Sequence, residues 1–220
     1  MIDRDFGDIK KQFYQHKISW INSFYKGLSV DENSNFIPWY CYEAINFLTN
    51  NLPKNISIFE FGCGSSTLFY LQKGCNIISL ETNKIWFDLV IKLINQQIKS
   101  DFKIIHQDNF YKNQNIEIYL MEDGLTNDKY ENFCQDISLK KQILFDYIVI
   151  DSLKRYLSCK NSLQVLKPFG TIILDDSQRK NYHKIFELMK EKNFMVKNFT
   201  SISPAQLKIK TTSFFSKNFC

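Results

Sequence analysis

Residues 56–74 constrain this chain more than any other stretch. Residues 56–61 are a short apolar run containing Ile56 and Ile58, which reads as a buried strand. Glu60-Phe61-Gly62-Cys63-Gly64-Ser65-Ser66-Thr67 follows from it, and residues 67–73 read as a helix that stops at Gly74. Glycines where a strand gives way to a helix permit a tight turn and close approach of the backbone to a ligand. Ser65, Ser66 and Thr67 are residue types that cap the helix that follows.

The same grammar continues. Residues 76–80 read as a second strand and 84–99 as a helix with Trp86, Leu89, Val90, Leu93 and Ile94 on one face. Residues 102–106 read as a third strand, 145–150 as a fourth and 171–174 as a fifth, with a helix over 153–166 between the last two. Strands alternating with helices imply βαβ units, right-handed crossovers and an α/β fold whose parallel sheet is covered on both faces. After a helix over 180–192, two strand-like runs, 195–199 and 211–216, are joined by a loop too short for a crossover helix and should pair antiparallel. The polar stretch 109–142 reads as an insertion holding an extra strand, 117–121, and a helix, 128–141. Before the domain, residues 5–28 show a loose helical pattern. Pro38 reads as the first residue of a second helix, with Tyr42, Ile45, Phe47 and Leu48 as its apolar set. The chain thus divides into a helical extension or lid, 1–36, and one α/β domain, 37–220.

Composition excludes several classes. With 44% hydrophobic and 23% charged residues the chain is neither disordered nor fibrous. No run approaches the roughly 18 apolar residues that span a bilayer. The start of the chain lacks a signal peptide's apolar core, so the expectation is a cytoplasmic protein without a membrane partner. The six cysteines form no C-x-x-C pair and the three histidines are dispersed, which argues against a zinc cluster. The net charge of +5 is mild and spread along the chain, with no basic-aromatic patch for nucleic acid.

Glu81 lies 21 residues after Glu60, at the end of the second strand. A carboxylate there can accept both ribose hydroxyls of an adenosyl group. The third glycine of the dinucleotide fingerprint is replaced by Thr67, and Glu60 stands at the loop's entrance. A carboxylate there is awkward beside a pyrophosphate and helpful beside an ammonium and a sulfonium. S-adenosylmethionine carries both, so the local chemistry favours it over NAD.

On these residues the chain resembles the class I S-adenosylmethionine-dependent methyltransferases. A narrower likeness is to a bacterial branch of undefined substrate, carried by Ile37-Pro38-Trp39 with Tyr42, Ser66-Thr67, Glu81 with Trp86, Asp151, Arg155 with Cys159, Asp176-Ser177 with Arg179 and Tyr182, and Thr211-Thr212-Ser213-Phe214-Phe215. Ser152 departs from that branch, where a glycine is expected. The resemblance implies a Rossmann-like, seven-stranded, mostly parallel sheet of order 3-2-1-4-5-7-6 over residues 37–217. It also implies that Glu60, Gly62, Gly64, Ser66, Thr67, Glu81, Asp108 and Asp151 hold the cofactor, with Asp108 at the adenine.

Asp151 ends strand four and Asp176 follows strand five, at the crevice where open α/β sheets bind ligands. They are the candidates for catalysis, as general base or in positioning the acceptor. They are also the pair that would hold Mg²⁺ if the reaction used a metal, although Asp176-Ser177 offers a weaker third ligand than the Asp-Asn of catechol-type methyltransferases. Arg155 and Arg179 would bind an anionic acceptor or pair with a nearby Asp. Trp39 and Tyr42 would line the cofactor or acceptor pocket, or pack in the core. Asp151-Ser152-Leu153-Lys154 is not the N-P-P-Y type of motif that amino-methylating nucleic-acid enzymes use. A small-molecule or glycan acceptor, O-methylated, remains, without nucleic acid and with a homodimer left open. The alternative is a non-catalytic nucleotide-binding module, a sensor or partner subunit on the same fold.

Overall fold

The computed structural model describes residues 2–97 and 105–219. Two helices, α1 (Ile2–Gln15) and α2 (Lys17–Lys26), precede α3 (Tyr42–Asn51). The alternating part runs β1 (Ser57–Phe61), α4 (Ser65–Gln72), β2 (Asn76–Glu81), α5 (Lys84–Gln97), β3 (Ile105–Gln107), β4 (Phe110–Asn113), β5 (Ile116–Leu120), α6 (Phe133–Lys141), β6 (Phe145–Ile150), α7 (Arg155–Ser162) and β7 (Leu166–Leu174). A 3-10 turn, Lys180–Tyr182, leads into α8 (His183–Glu191), and β8 (Met195–Ser203) and β9 (Gln206–Ser216) close the chain. Residues 98–99 of the expected helix, 102–104 of the expected third strand and Cys220 lie outside the described residues.

Among the described residues the sheet has nine strands, not seven, in the order β3-β4-β5-β2-β1-β6-β7-β9-β8. Its parallel part is β5-β2-β1-β6-β7, and β9 runs antiparallel to both β7 and β8. The expected 3-2-1-4-5-7-6 order is therefore present, but its third strand is β5. The run expected to be third supplies only β3, an exposed edge strand paired antiparallel with β4. β5 takes the place beside β2 because Ile116 and Ile118 are buried there. Its Glu117 is tolerated at that depth because Lys112 and Lys141 each reach its carboxylate at 2.7 Å and Tyr119 donates a hydrogen bond to it. The stretch 109–142 is thus not an insertion beside the sheet; it contributes one of the sheet's parallel strands.

Period-2 alternation divides the core. Ile58, Ile77, Ile118, Val149, Ile173 and Phe214 face one side, with α3, α4 and α5. Phe59, Ile78, Ile148, Ile172 and Phe215 face the other, with α6, α7 and α8. Each such side chain removed from water contributes about 1.5–3 kcal/mol. Ile9, Phe13 and Trp20 of the N-terminal helices pack on the first side. Pro38 does not open a helix; α3 begins at Tyr42. The residues between are committed elsewhere: Ile37 N–H donates to the Ser29 carbonyl at 3.1 Å, and the Trp39 indole donates to the Pro204 carbonyl at 2.7 Å.

Register fixes the functional end. Phe61 lies opposite Leu80 and Ile150, and Ile150 opposite Leu174. The loops that leave these four residues therefore emerge together. Ile118→Ala should cost about 2–5 kcal/mol by urea unfolding, and Ile105→Ala less than about 0.5 kcal/mol. Equal costs would contradict the placement of β5 inside the sheet.

Candidate functional site

The loops after β1, β2 and β6 enclose a cleft of about 250 Å³ whose lining includes Trp39, Glu60, Gly62, Gly64, Ser66, Glu81, Trp86, Asp151 and Ser152. Gly62 has φ +97°, and a Cβ there would sit 3.2 Å from the Asp151 carbonyl oxygen, so only glycine lets the ends of β1 and β6 close up. A Cβ on Gly64 would meet Trp86 Nε1 at 3.1 Å. The floor is Glu60, which is buried. Ser66 and Thr67 hydroxyls donate to it, the latter at 2.5 Å, and Ser79 donates at 3.2 Å. Thr67 in turn accepts the Gly64 N–H at 2.9 Å. Burial outweighs these three bonds and pushes the Glu60 pKa up to about 7.

Glu81 is buried at the end of β2. One carboxylate oxygen accepts the Cys63 N–H at 2.8 Å, and the other accepts the N–H groups of Thr82 at 2.7 Å and Asn83 at 2.8 Å. It thereby ties the glycine loop to the turn that starts α5. About four lone-pair positions exist on a carboxylate, so capacity for a ligand hydroxyl remains.

Beside the cleft is a balanced charge cluster. Asp151 is half-buried and gives one oxygen to Arg155 at 2.9 Å. Burial, with Asp175 alongside, raises its pKa despite Arg155 and Lys210. Arg155 also donates from Nε to the Ser152 carbonyl at 3.1 Å and from a terminal nitrogen to the Asp175 carbonyl. Asp175 is buried and accepts from Thr212 at 2.7 Å and from the Lys210 ammonium. Lys210 is itself buried, donates to the Trp39 carbonyl at 2.8 Å and lies 3.5 Å from Asp176. Burial works against the ammonium, but Asp175, Asp176 and Asp151 raise its pKa. Asp176, at φ +51°, pairs with Arg179. Burial opposes its ionisation, yet Lys210, Arg179 and Arg155 hold its carboxyl below the usual carboxylate range.

Most of the sequence-derived candidates thus converge. Thr67 lies under the cleft through its bond to Glu60, and Asp176 and Arg179 lie beyond Asp151. Two do not converge. Asp108 is exposed in the turn between β3 and β4, because the third parallel strand is β5; the acids that follow that strand are Glu122 and Asp123. Tyr42 stacks on His16 at a ring separation of 4.0 Å and hydrogen-bonds Ser19 at 3.1 Å, facing the N-terminal helices. Lys210 and Asp175 were not singled out in the sequence. Lys210 had one legible signal: it shares strand phase with the inward-facing Thr212 and Phe214.

The donor set does not fit Mg²⁺. Asp151 is compensated by Arg155, Asp175 by Lys210, and Asp176 by Arg179 and Lys210, so a metal would have to displace a cation already in place. Among the described residues no group of three or more His, Cys, Asp or Glu side chains is disposed to hold a metal ion.

A parallel α/β sheet closed by an antiparallel strand, with a glycine loop and an acid at the next strand's end, defines the Rossmann-like fold of the class I methyltransferases. Solved structures share it. A methyltransferase from Pyrococcus furiosus is 14% identical with a TM-score of 0.51, over 96% of this chain and 98% of its own. An O-methyltransferase from Bacillus cereus in complex with S-adenosylhomocysteine is 18% identical with a TM-score of 0.56, over 73% and 74%. An O-methyltransferase of tomaymycin synthesis from Streptomyces achromogenes, in complex with S-adenosylmethionine, is 9% identical with a TM-score of 0.54, over 74% and 73%. At these identities the likeness is one of fold. No protein-family model matches the chain, and none of the curated proteins does. Among the described residues no helix is long and apolar enough to cross a membrane.

Two outcomes follow from the charges. Folded Glu60 binds its proton more tightly than the unfolded chain, whose value is 4.5. Stability should therefore fall as pH rises from about 4.5 to about 7, by on the order of 3 kcal/mol, and level off above. In Glu60→Gln that part of the pH dependence of urea unfolding should vanish. Lys210→Met leaves Asp175 buried without its cation and should cost about 3–5 kcal/mol, with much of the loss recovered in Lys210→Met/Asp175→Leu.

Proposed function

We propose that this chain is an S-adenosylmethionine-dependent methyltransferase that O-methylates a small-molecule or glycan-type acceptor. The observation that carries this reading is the electrical character of the cleft: Glu60, Glu81 and Asp151 line it and, among the described residues, no Lys or Arg does. A ligand with two positive groups and two vicinal hydroxyls suits such a lining. A pyrophosphate does not. Two of the proteins that share the fold are described with S-adenosylhomocysteine or S-adenosylmethionine bound.

S-adenosylmethionine, when bound, supplies a methyl group on a sulfonium, activated for displacement by an oxygen. The chain's part is to hold and orient, where proximity lowers the barrier most. The glycine loop, Ser66 and Glu60 would receive the cationic end, with Thr67 keeping Glu60 in place. Glu81 would accept ribose hydroxyls, and Glu122 or Asp123, which follow β5, would take the adenine-side place expected of Asp108. Asp151 is tied to Arg155 through one oxygen, which leaves the other open to the cleft to take the acceptor's proton. Arg155 fixes that carboxylate and Trp39 forms a wall.

Calorimetry with S-adenosylmethionine, S-adenosylhomocysteine and NAD tests the reading. The first two should bind and NAD should not. Glu81→Ala should weaken binding roughly tenfold to a hundredfold, and Gly64→Arg should abolish it by filling the space under Trp86. Affinity should rise as pH increases through about 7, because a cation binds ionised Glu60. Preference for NAD would sink the proposal.

A further inference from the structure

The two depressions at this end of the sheet carry opposite charge. Among the described residues, the charged groups that line the glycine-loop cleft are all carboxylates. Adjoining it at Ser152, which lines both, is a groove of about 480 Å³ whose walls carry Lys154, Arg155 and Arg179 and, among the described residues, no Asp or Glu. The groove lies between the first turn of α7 and the 3-10 turn Lys180–Tyr182. Tyr156 and Tyr182 give it flat faces.

Its three cations are not equivalent. The Lys154 ammonium is held at 2.9 Å by Glu131 and at 2.9 Å by the Asn127 carbonyl. Arg155 commits three donors to Ser152, Asp175 and Asp151, and its guanidinium lies 5.3 Å from the Tyr182 ring centre. Both are occupied as scaffold. Arg179 has 53% of its side chain exposed and pairs from one nitrogen with Asp176. Asp176 is shared with Lys210, so it only partly neutralises Arg179. A guanidinium has five donors in a planar fork, and that fork matches carboxylate and phosphate oxygens in pairs.

Resting on the methyl-transfer reading, we infer that this groove is the acceptor site and that the acceptor is a small anionic molecule. Its carboxylate or phosphate is gripped by Arg179, a ring lies against Tyr156 or Tyr182, and its hydroxyl reaches Asp151 past Ser152. The opposed linings sort the two reactants. A cationic donor is drawn to the acidic cleft and repelled by the basic groove, and an anionic acceptor the reverse.

The test titrates phenyl phosphate, benzoate and benzyl alcohol into the full chain at low salt, by NMR, with and without S-adenosylhomocysteine. At least one anion should bind, benzyl alcohol should not, and the tighter anion tells phosphate from carboxylate. Arg179→Gln should weaken that anion by roughly tenfold or more, and Arg179→Lys by less, with thermal unfolding unchanged because Arg179 is exposed. Equal binding of benzyl alcohol, indifference to Arg179→Gln, or no anion binding tighter than about 10 mM would overturn the inference. S-adenosylhomocysteine binding without Arg179-dependent anion binding overturns the groove alone. Anion binding that depends on Arg179, without S-adenosylhomocysteine binding, overturns the methyl-transfer reading and with it the groove's role as acceptor site.

Discussion

One buried ammonium makes the acidic end of this sheet tenable. Asp151, Asp175 and Asp176 leave adjacent parallel strands at the same edge, and three carboxylates crowded in a low dielectric repel one another and resist ionisation. Lys210 answers two of them and also binds the Trp39 carbonyl. The strand that brings it is β9, which runs antiparallel to β7. In a purely parallel sheet a side chain so early in its strand would lie at the opposite edge. Strand reversal, charge balance and the wall of the cleft therefore meet at one nitrogen.

The same edge shows how differently two glutamates can be buried. Glu60 is surrounded by hydroxyls, which can rotate to serve either protonation state, and it titrates near neutrality. Glu81 accepts the backbone N–H groups of Cys63, Thr82 and Asn83, which pin the glycine loop to the start of α5. One floor of the cleft thus responds to a ligand's charge and the other holds the loop's shape.

What was legible in the sequence was what local periodicity encodes. The glycine loop, β1, β2 and β6 lie within a residue or two of where their patterns place them, and the closing pair is antiparallel as expected, but its strands run on through most of the expected loop, so that Lys210 lies in β9. The strand at 117–121 was legible but its place beside β2 was not, since Glu117 looks unfit for the interior until Lys112 and Lys141 pair with it. Asp108 lies away from the cleft for the same reason, since it follows the edge strand β3 and not β5. Pro38 looked like a helix start because its local preference is real, but tertiary bonds at Ile37 and Trp39 override it. Arg155 and Arg179 stand in equivalent positions after their strands, and only the three-dimensional partners distinguish the occupied guanidinium from the exposed one.

The N-terminal helices have a consequence for the order of assembly. Ser29 N–H donates to Ser65, at the head of the glycine-loop helix, across a separation of 36 residues. Gln12 accepts from Ile202 N–H across 190 residues. Contacts this distant in sequence form late, because the chain between them must be gathered first. This segment, made before the sheet, is thus among the last to find its seat, and it seats against both the glycine loop and the closing strand pair. A nascent chain would hold the apolar side of α1, with Ile9 and Phe13, in water until β8 and β9 emerge, an interval of exposed apolar surface.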